Sequence, residues 1–240
     1  MSTTQNIGLD RHHGAILRAS PLALGGGLSA IGAFGVVVTS LFYVASPRAA
    51  AGPVAPLDLA AAMSGAVSGV ASLHAAGSVG VFGDLVWATA ALVIAGELAR
   101  RGRGVSAAGW IGLFLSILIF TLVDGMTGYV LPALATAANA AGFEAFKRFW
   151  DLLFLLGAVA YGAGVVLAMA GDIGAPVSMV GRRLAWTTLA VALIGALAAT
   201  AGLLGVTGLP VDRLSGGSIG LGALLFIPIS LRIGRAGEAP

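Results

Sequence analysis

The stretch DLAAAMSGAVSGVASLHAAGSVGVFGDLVWATAALVIAGE, residues 58–97, holds only two readily charged side chains between its ends, His74 and Asp84. It is long enough for two helices, and small and apolar side chains fill nearly all of it. A water-soluble domain carries about 25% charged residues; this chain carries 10%, with 58% hydrophobic residues and a mean hydropathy of +0.99. A soluble fold of this size would lack the polar surface to cover itself, so the chain is an integral membrane protein. Its apolar runs are continuous rather than alternating, which selects helices over barrel strands.

Outward from that stretch, the sequence predicts an all-α bundle of six transmembrane helices at about 22–44, 79–99, 107–131, 149–170, 184–206 and 219–233. These form a single membrane domain over 22–233, between tails at 1–21 and 234–240. The first apolar run is longer than the 7–15 residues of a signal-peptide core, and it reads as a retained span. A further helix at about 59–76 is N-capped by Asp58. It places Leu59, Met63, Val67, Val70 and His74 on one arc, as an interfacial or re-entrant helix does. A seventh span there is the alternative, and it would scramble the charge pattern described next.

Orientation follows from Lys and Arg. With six spans and the N-terminus inside, Arg11, Arg18, Arg100, Arg101, Arg103, Arg182, Arg183, Arg232 and Arg235 fall on one side, and Arg48, Lys147, Arg148 and Arg213 on the other. This predicts an N-in, C-in topology in a bacterial-type inner membrane. The same placement explains the basic balance without nucleic acid, since no basic stripe exists. Cysteine is absent, which excludes disulfides and Cys-ligated metals or clusters.

Threading turns scattered polar residues into a cluster. Asp84 lies about 8 Å below the outer edge of the second span at 1.5 Å per residue. Asp124 reaches a similar depth on the third, and Asp151 enters the fourth about one turn down. His74 precedes the second span on the same side. A carboxylate at mid-membrane costs about 2.5–3.5 kcal/mol on insertion scales, so such residues are candidates for proton or ion sites. Asp84 also has a packing explanation, because Gly77, Gly80, Ala88, Ala91 and Ala95 share its face. Asp124 lies in TLVDGMTGY, residues 121–129, whose glycines and threonines make it the part of its span most able to unwind; Thr121 and Thr127 share its face. Asp151 follows Lys147 and Arg148 by four and three residues, an ion-pair spacing. Tyr161, in mid-span between small residues, is a supporting candidate. Trp110, Trp150 and Trp186 read as interfacial belt residues, with Trp87 deeper.

Several chemistries recede. Covalent retinal needs a buried Lys, and Lys147 reads as lying at a boundary. Haem b between helices needs two intramembrane His, and no span holds one. Any metal or other cofactor is unknown. Three functions fit what is left. One is a small proton- or cation-coupled transporter or channel-like protein using Asp84 and Asp124. The second is a non-catalytic subunit of a homo-oligomer or larger membrane complex, packing in lipid through Gly- and Ala-rich faces. The third, an enzyme on a lipid or quinone-like substrate using His74 with the acids, has the least support, so a non-enzyme is expected.

Overall fold

A computed structural model describes residues 20–47 and 57–237, and all regular structure in them is helical. Residues 1–19, Arg48 and 238–240 lie outside the described residues, whereas 234–236, expected in the C-terminal tail, continue the last helix. The helices are α1 (Pro21–Ala45), α2 (Leu59–Ser68), α3 (Val70–Arg100), α4 (Gly104–Gly125), α5 (Leu131–Thr136), α6 (Ala140–Ile173), α7 (Arg182–Leu203) and α8 (Val211–Ala236). A π-helical turn, Met126–Val130, joins α4 to α5, so that 104–136 form one span. Six helical segments are then long and apolar enough to cross a membrane. Large apolar side chains such as Ile31, Phe34, Phe82, Leu115, Leu122 and Leu197 stand exposed on them. In a multi-pass membrane protein those faces meet lipid.

Local sequence sets the ends and breaks. Ser20 Oγ accepts from the Ala23 N–H at 3.1 Å, and Pro21 opens α1 where a missing N–H costs nothing. Asp58 caps α2 by accepting from the Ala61 N–H at 3.0 Å. The π turn falls where Pro132 lacks an N–H and its ring would press on the carbonyl of Gly128, four residues earlier; one wider turn relieves both.

The helix expected over 59–76 is divided. Gly69 ends α2 and starts α3, and a Cβ on Gly69 would stand 2.5 Å from the Pro47 ring. The close approach of Pro47 needs glycine there, and the chain bends at that point. The second span accordingly begins at Val70 rather than near 79. Ala62 and Ala66 of α2 pack with Leu131, Ala135 and Phe143 of α5 and α6.

The six spans form a closed ring in chain order. α1 packs on α3, α3 on α4, α4 on α6, α6 on α7, α7 on α8, and α8 back on α1. Small residues permit the close crossings: a Cβ on Gly109 would lie 2.1 Å from the Ala168 backbone nitrogen. Hydroxyls add links between helices, as in Ser29 to Ser230 at 2.7 Å and Ser116 to the Gly157 carbonyl at 3.1 Å. At the centre Phe226 meets Trp87 and Trp110 edge-on, with ring centroids 5.2 and 5.7 Å away. Trp110 and Trp150 are therefore core residues and not belt residues; of the four tryptophans only Trp186 is exposed.

The two ends of the ring differ. At the end that carries Arg100, Arg101, Arg103 and Arg232, Asp172 accepts from Arg103 Nη1 at 3.2 Å, from the Met179 N–H at 2.9 Å, and from Ser178 Oγ. Arg232 donates to the Val180 carbonyl. Glu97 pairs with Arg101 at 2.8 Å. The void left there is only about 10 Å³. The opposite half of the bundle is open.

Candidate functional site

That open half holds a cavity of about 610 Å³, walled by α1, α3, α4, α6 and the start of α8. Val36, Ile117, Phe120, Val123 and Phe154 make its apolar wall. Its polar residues include Thr39, Tyr43, Asp84, Asp124 and Tyr161, with Asp212 and Arg213 at the first turn of α8. The volume is in the range of pockets that enclose a drug-sized molecule, about 300–1,000 Å³.

Asp84 and Asp124 meet here. Gly77, Gly80, Asp84, Ala88, Ala91 and Ala95 are all buried along one face of α3, and α4 rides closely on the Gly77–Gly80 part of it. A Cβ on Gly77 would stand 2.5 Å from the Gly128 Cα, and a Cβ on Gly80 would stand 1.7 Å from Asp124 Oδ2. Asp124 thus lies over Gly80, one turn from Asp84. Tyr43, reaching down from the end of α1, donates to Asp124 Oδ1 at 2.5 Å and lies 3.1 Å from Thr127 Oγ1. Thr127 donates to the Val123 carbonyl at 2.8 Å and accepts from Trp150 Nε1 at 2.7 Å. Three helices and the π turn therefore hold one carboxylate in place.

Asp84 is held differently. Its side chain is 2% exposed, and Oδ2 has no hydrogen-bond partner. Among the described residues five buried side-chain polar atoms lack a partner. Four of them, Thr39 Oγ1, Asp84 Oδ2, Trp87 Nε1 and Tyr161 OH, belong to residues lining this cavity. The fifth, Glu97 Oε2, lies 3.5 Å from Arg100 Nη1. The first four atoms have no protein partner, and all belong to residues around one space.

The other candidates lie apart or in support. Asp151 does not line the cavity; it pairs with Lys147, which is fully buried with its ammonium 4.3 Å from the Trp150 ring centre. Lys147 is thus enclosed by protein, which its sequence position near a span end did not indicate. His74 is exposed on α3, edge-on to Tyr129 at 5.3 Å, away from both carboxylates. Thr121 bonds the Ile117 carbonyl of its own helix and does not line the cavity, unlike Tyr161, whose ring sits 6.4 Å from that of Trp87. The α2 helix contributes no lining residue. Tyr43 and Trp87 line the cavity and Trp150 supports it through Thr127; the sequence offered none of them as a site candidate, reading Trp150 as a belt residue and Trp87 only as deeper. Among the described residues no three His, Cys, Asp or Glu side chains gather as a metal site.

Comparisons with protein-family models, curated proteins and solved structures find no match to this chain. The reading of its function rests on the geometry.

Proposed function

We propose that this chain is a small proton- or cation-coupled transporter, with the cavity as its solute site and Asp84 and Asp124 as the coupling carboxylates. The observation that carries this reading is the collection of partnerless polar atoms around one cavity containing two acids. Packing would favour pairing those atoms or replacing them with apolar groups, because each unsatisfied buried group costs about 1–3 kcal/mol. Keeping four together fits a space that takes up something polar.

The two acids divide the work. Asp124, fixed by Tyr43, supplies a carboxylate of defined position. Asp84, with a free oxygen, supplies the exchangeable site. A proton or a cation arriving between them offsets the cost of two desolvated carboxylates side by side. The arginine end is closed by the Asp172 interactions, so this arrangement corresponds to the state open away from that end, which is outward on the arginine pattern.

The experiment is proton flux in vesicles loaded with a pH dye, driven by a cation gradient, for wild type, Asp84→Asn and Asp124→Asn. The expected result is a fall of about tenfold or more in each variant, since one charged hydrogen bond or ion contact is worth about 1.5–3 kcal/mol. Unchanged flux in both variants, with intact assembly, would remove the transporter and leave the packing-subunit reading.

A further inference from the structure

We propose that the solute of this cavity is an organic ammonium ion carrying an aromatic or alkyl body, rather than a bare inorganic cation. The inference rests on the transporter reading and names the class of ligand for the same site.

Three of the partnerless atoms can accept a hydrogen bond: Asp84 Oδ2, Thr39 Oγ1 and Tyr161 OH. A primary ammonium has three donors, and it remains charged at neutral pH because alkyl amines titrate near about 10.4. Its charge meets the Asp84 carboxylate, beside the Trp87 and Tyr161 rings, which line the cavity at 2% and 3% exposure and belong to the side-chain types that attract ammonium groups. The rest of the molecule meets Phe120 and the aliphatic wall. A bare cation would leave most of the cavity empty. The cavity therefore matches a small charged head on a larger apolar body.

The test uses dansylcadaverine, a primary ammonium on an alkyl chain with an aromatic head, and its N-acetyl derivative as the uncharged match. Full-length protein in mild detergent is titrated with each, followed by dansyl emission and tryptophan quenching. The expected result is saturable binding of the amine, with binding about tenfold or more weaker for the acetyl derivative and for Asp84→Asn, the change that losing one charge-assisted hydrogen bond produces. Equal binding of amine and acetyl derivative by the wild-type protein would overturn the inference, whatever the variant does. Displacement of the amine by K+ at matched concentration would overturn it in favour of an inorganic cation site. Carboxylate-dependent proton flux without preference for the amine would remove the organic ligand and leave the transporter. Preferential amine binding with flux indifferent to both carboxylates would keep the ligand site and remove transport.

Discussion

The Asp124 carboxylate rests on Gly80, so closely that a Cβ at Gly80 would lie 1.7 Å from Oδ2 and 2.5 Å from Cγ. No methyl group fits there without moving the acid, and the acid is held from its other side by Tyr43. Gly80→Ala is therefore expected to break the Tyr43 bond and to lower flux about as far as Asp124→Asn does. Gly96→Ala is the control on the same helix, since nothing lies within 4 Å of a Cβ there. It should leave flux unchanged and raise stability slightly, because glycine within a helix costs about 0.5–1 kcal/mol relative to alanine. Paired flux and thermal-unfolding measurements on the two variants check this.

Tyr43 is the only hydrogen-bond partner found for Asp124 among the described residues. Tyr43→Phe keeps the ring and removes the donor, leaving a buried carboxylate unsatisfied. A stability loss of about 1–3 kcal/mol is expected, with reduced flux. Trp150 should be undisturbed, because its bonds run to Thr127 and to the Val123 carbonyl at 3.1 Å. Thermal unfolding together with the emission maximum of a variant retaining Trp150 as its sole tryptophan would show whether the loss is confined to the Tyr43–Asp124 contact.

Hydropathy and arginine placement made the six-span bundle legible, because both are sums over many residues and survive local irregularity. The meeting of Asp84 with Asp124 was legible for a related reason: depth follows from counting residues at a fixed helical rise. Facing is less forgiving. His74 stands ten residues before Asp84 on the same helix, about 15 Å along it, and it lies on an exposed face with Val67 and Val70 while Asp84 is buried. The helix boundary at Gly69 lies against Pro47, a contact across the fold that no local pattern records. Tyr43 carried a weak signal, as a hydroxyl at the right depth on a span without acids. The aromatic core was hidden because a tryptophan near a span end reads the same whether it turns to the interface or inward.

Asp151 was brought into the cluster by depth alone, and its partner argues for a structural role. Lys147 is fully buried, and it pairs with Asp151 one turn away. Asp151→Asn would remove the carboxylate charge beside that ammonium. Asp151 is 22% exposed and asparagine keeps an acceptor, so the loss should fall below about 3–5 kcal/mol, the cost of a fully buried broken pair. Replacing both, as Lys147→Met with Asp151→Leu, should recover most of the stability, since apolar substitutes for a buried pair are often neutral or better. Flux in the double variant is expected to stay near wild type. A stable double variant without flux would instead place the pair in the transport path.

For the transporter proposed above, alternating access requires that the arginine end open when the cavity end closes, and Asp172 gathers most of the contacts that close it. Its carboxylate gathers Arg103, Ser178 and the backbone N–H groups of Met179 and Val180, while Arg103 also donates to the Val177 carbonyl at 2.5 Å. Asp172→Ala removes the acceptor for all four groups while leaving the cavity residues intact. Each donor left unpaired costs about 1–3 kcal/mol if it stays buried, so the cheaper outcome is a loop that swings out and admits water. The chain has no cysteine, so a single Val180→Cys, at a site now 2% exposed, reports accessibility without background. A membrane-impermeant maleimide applied from the arginine side should label that cysteine about tenfold or more faster in the Asp172→Ala background, the factor that about 1.4 kcal/mol of lost closure provides. Equal labelling rates with and without Asp172 would mean that this end is a fixed floor, and the route for a solute would then have to leave by the side it entered.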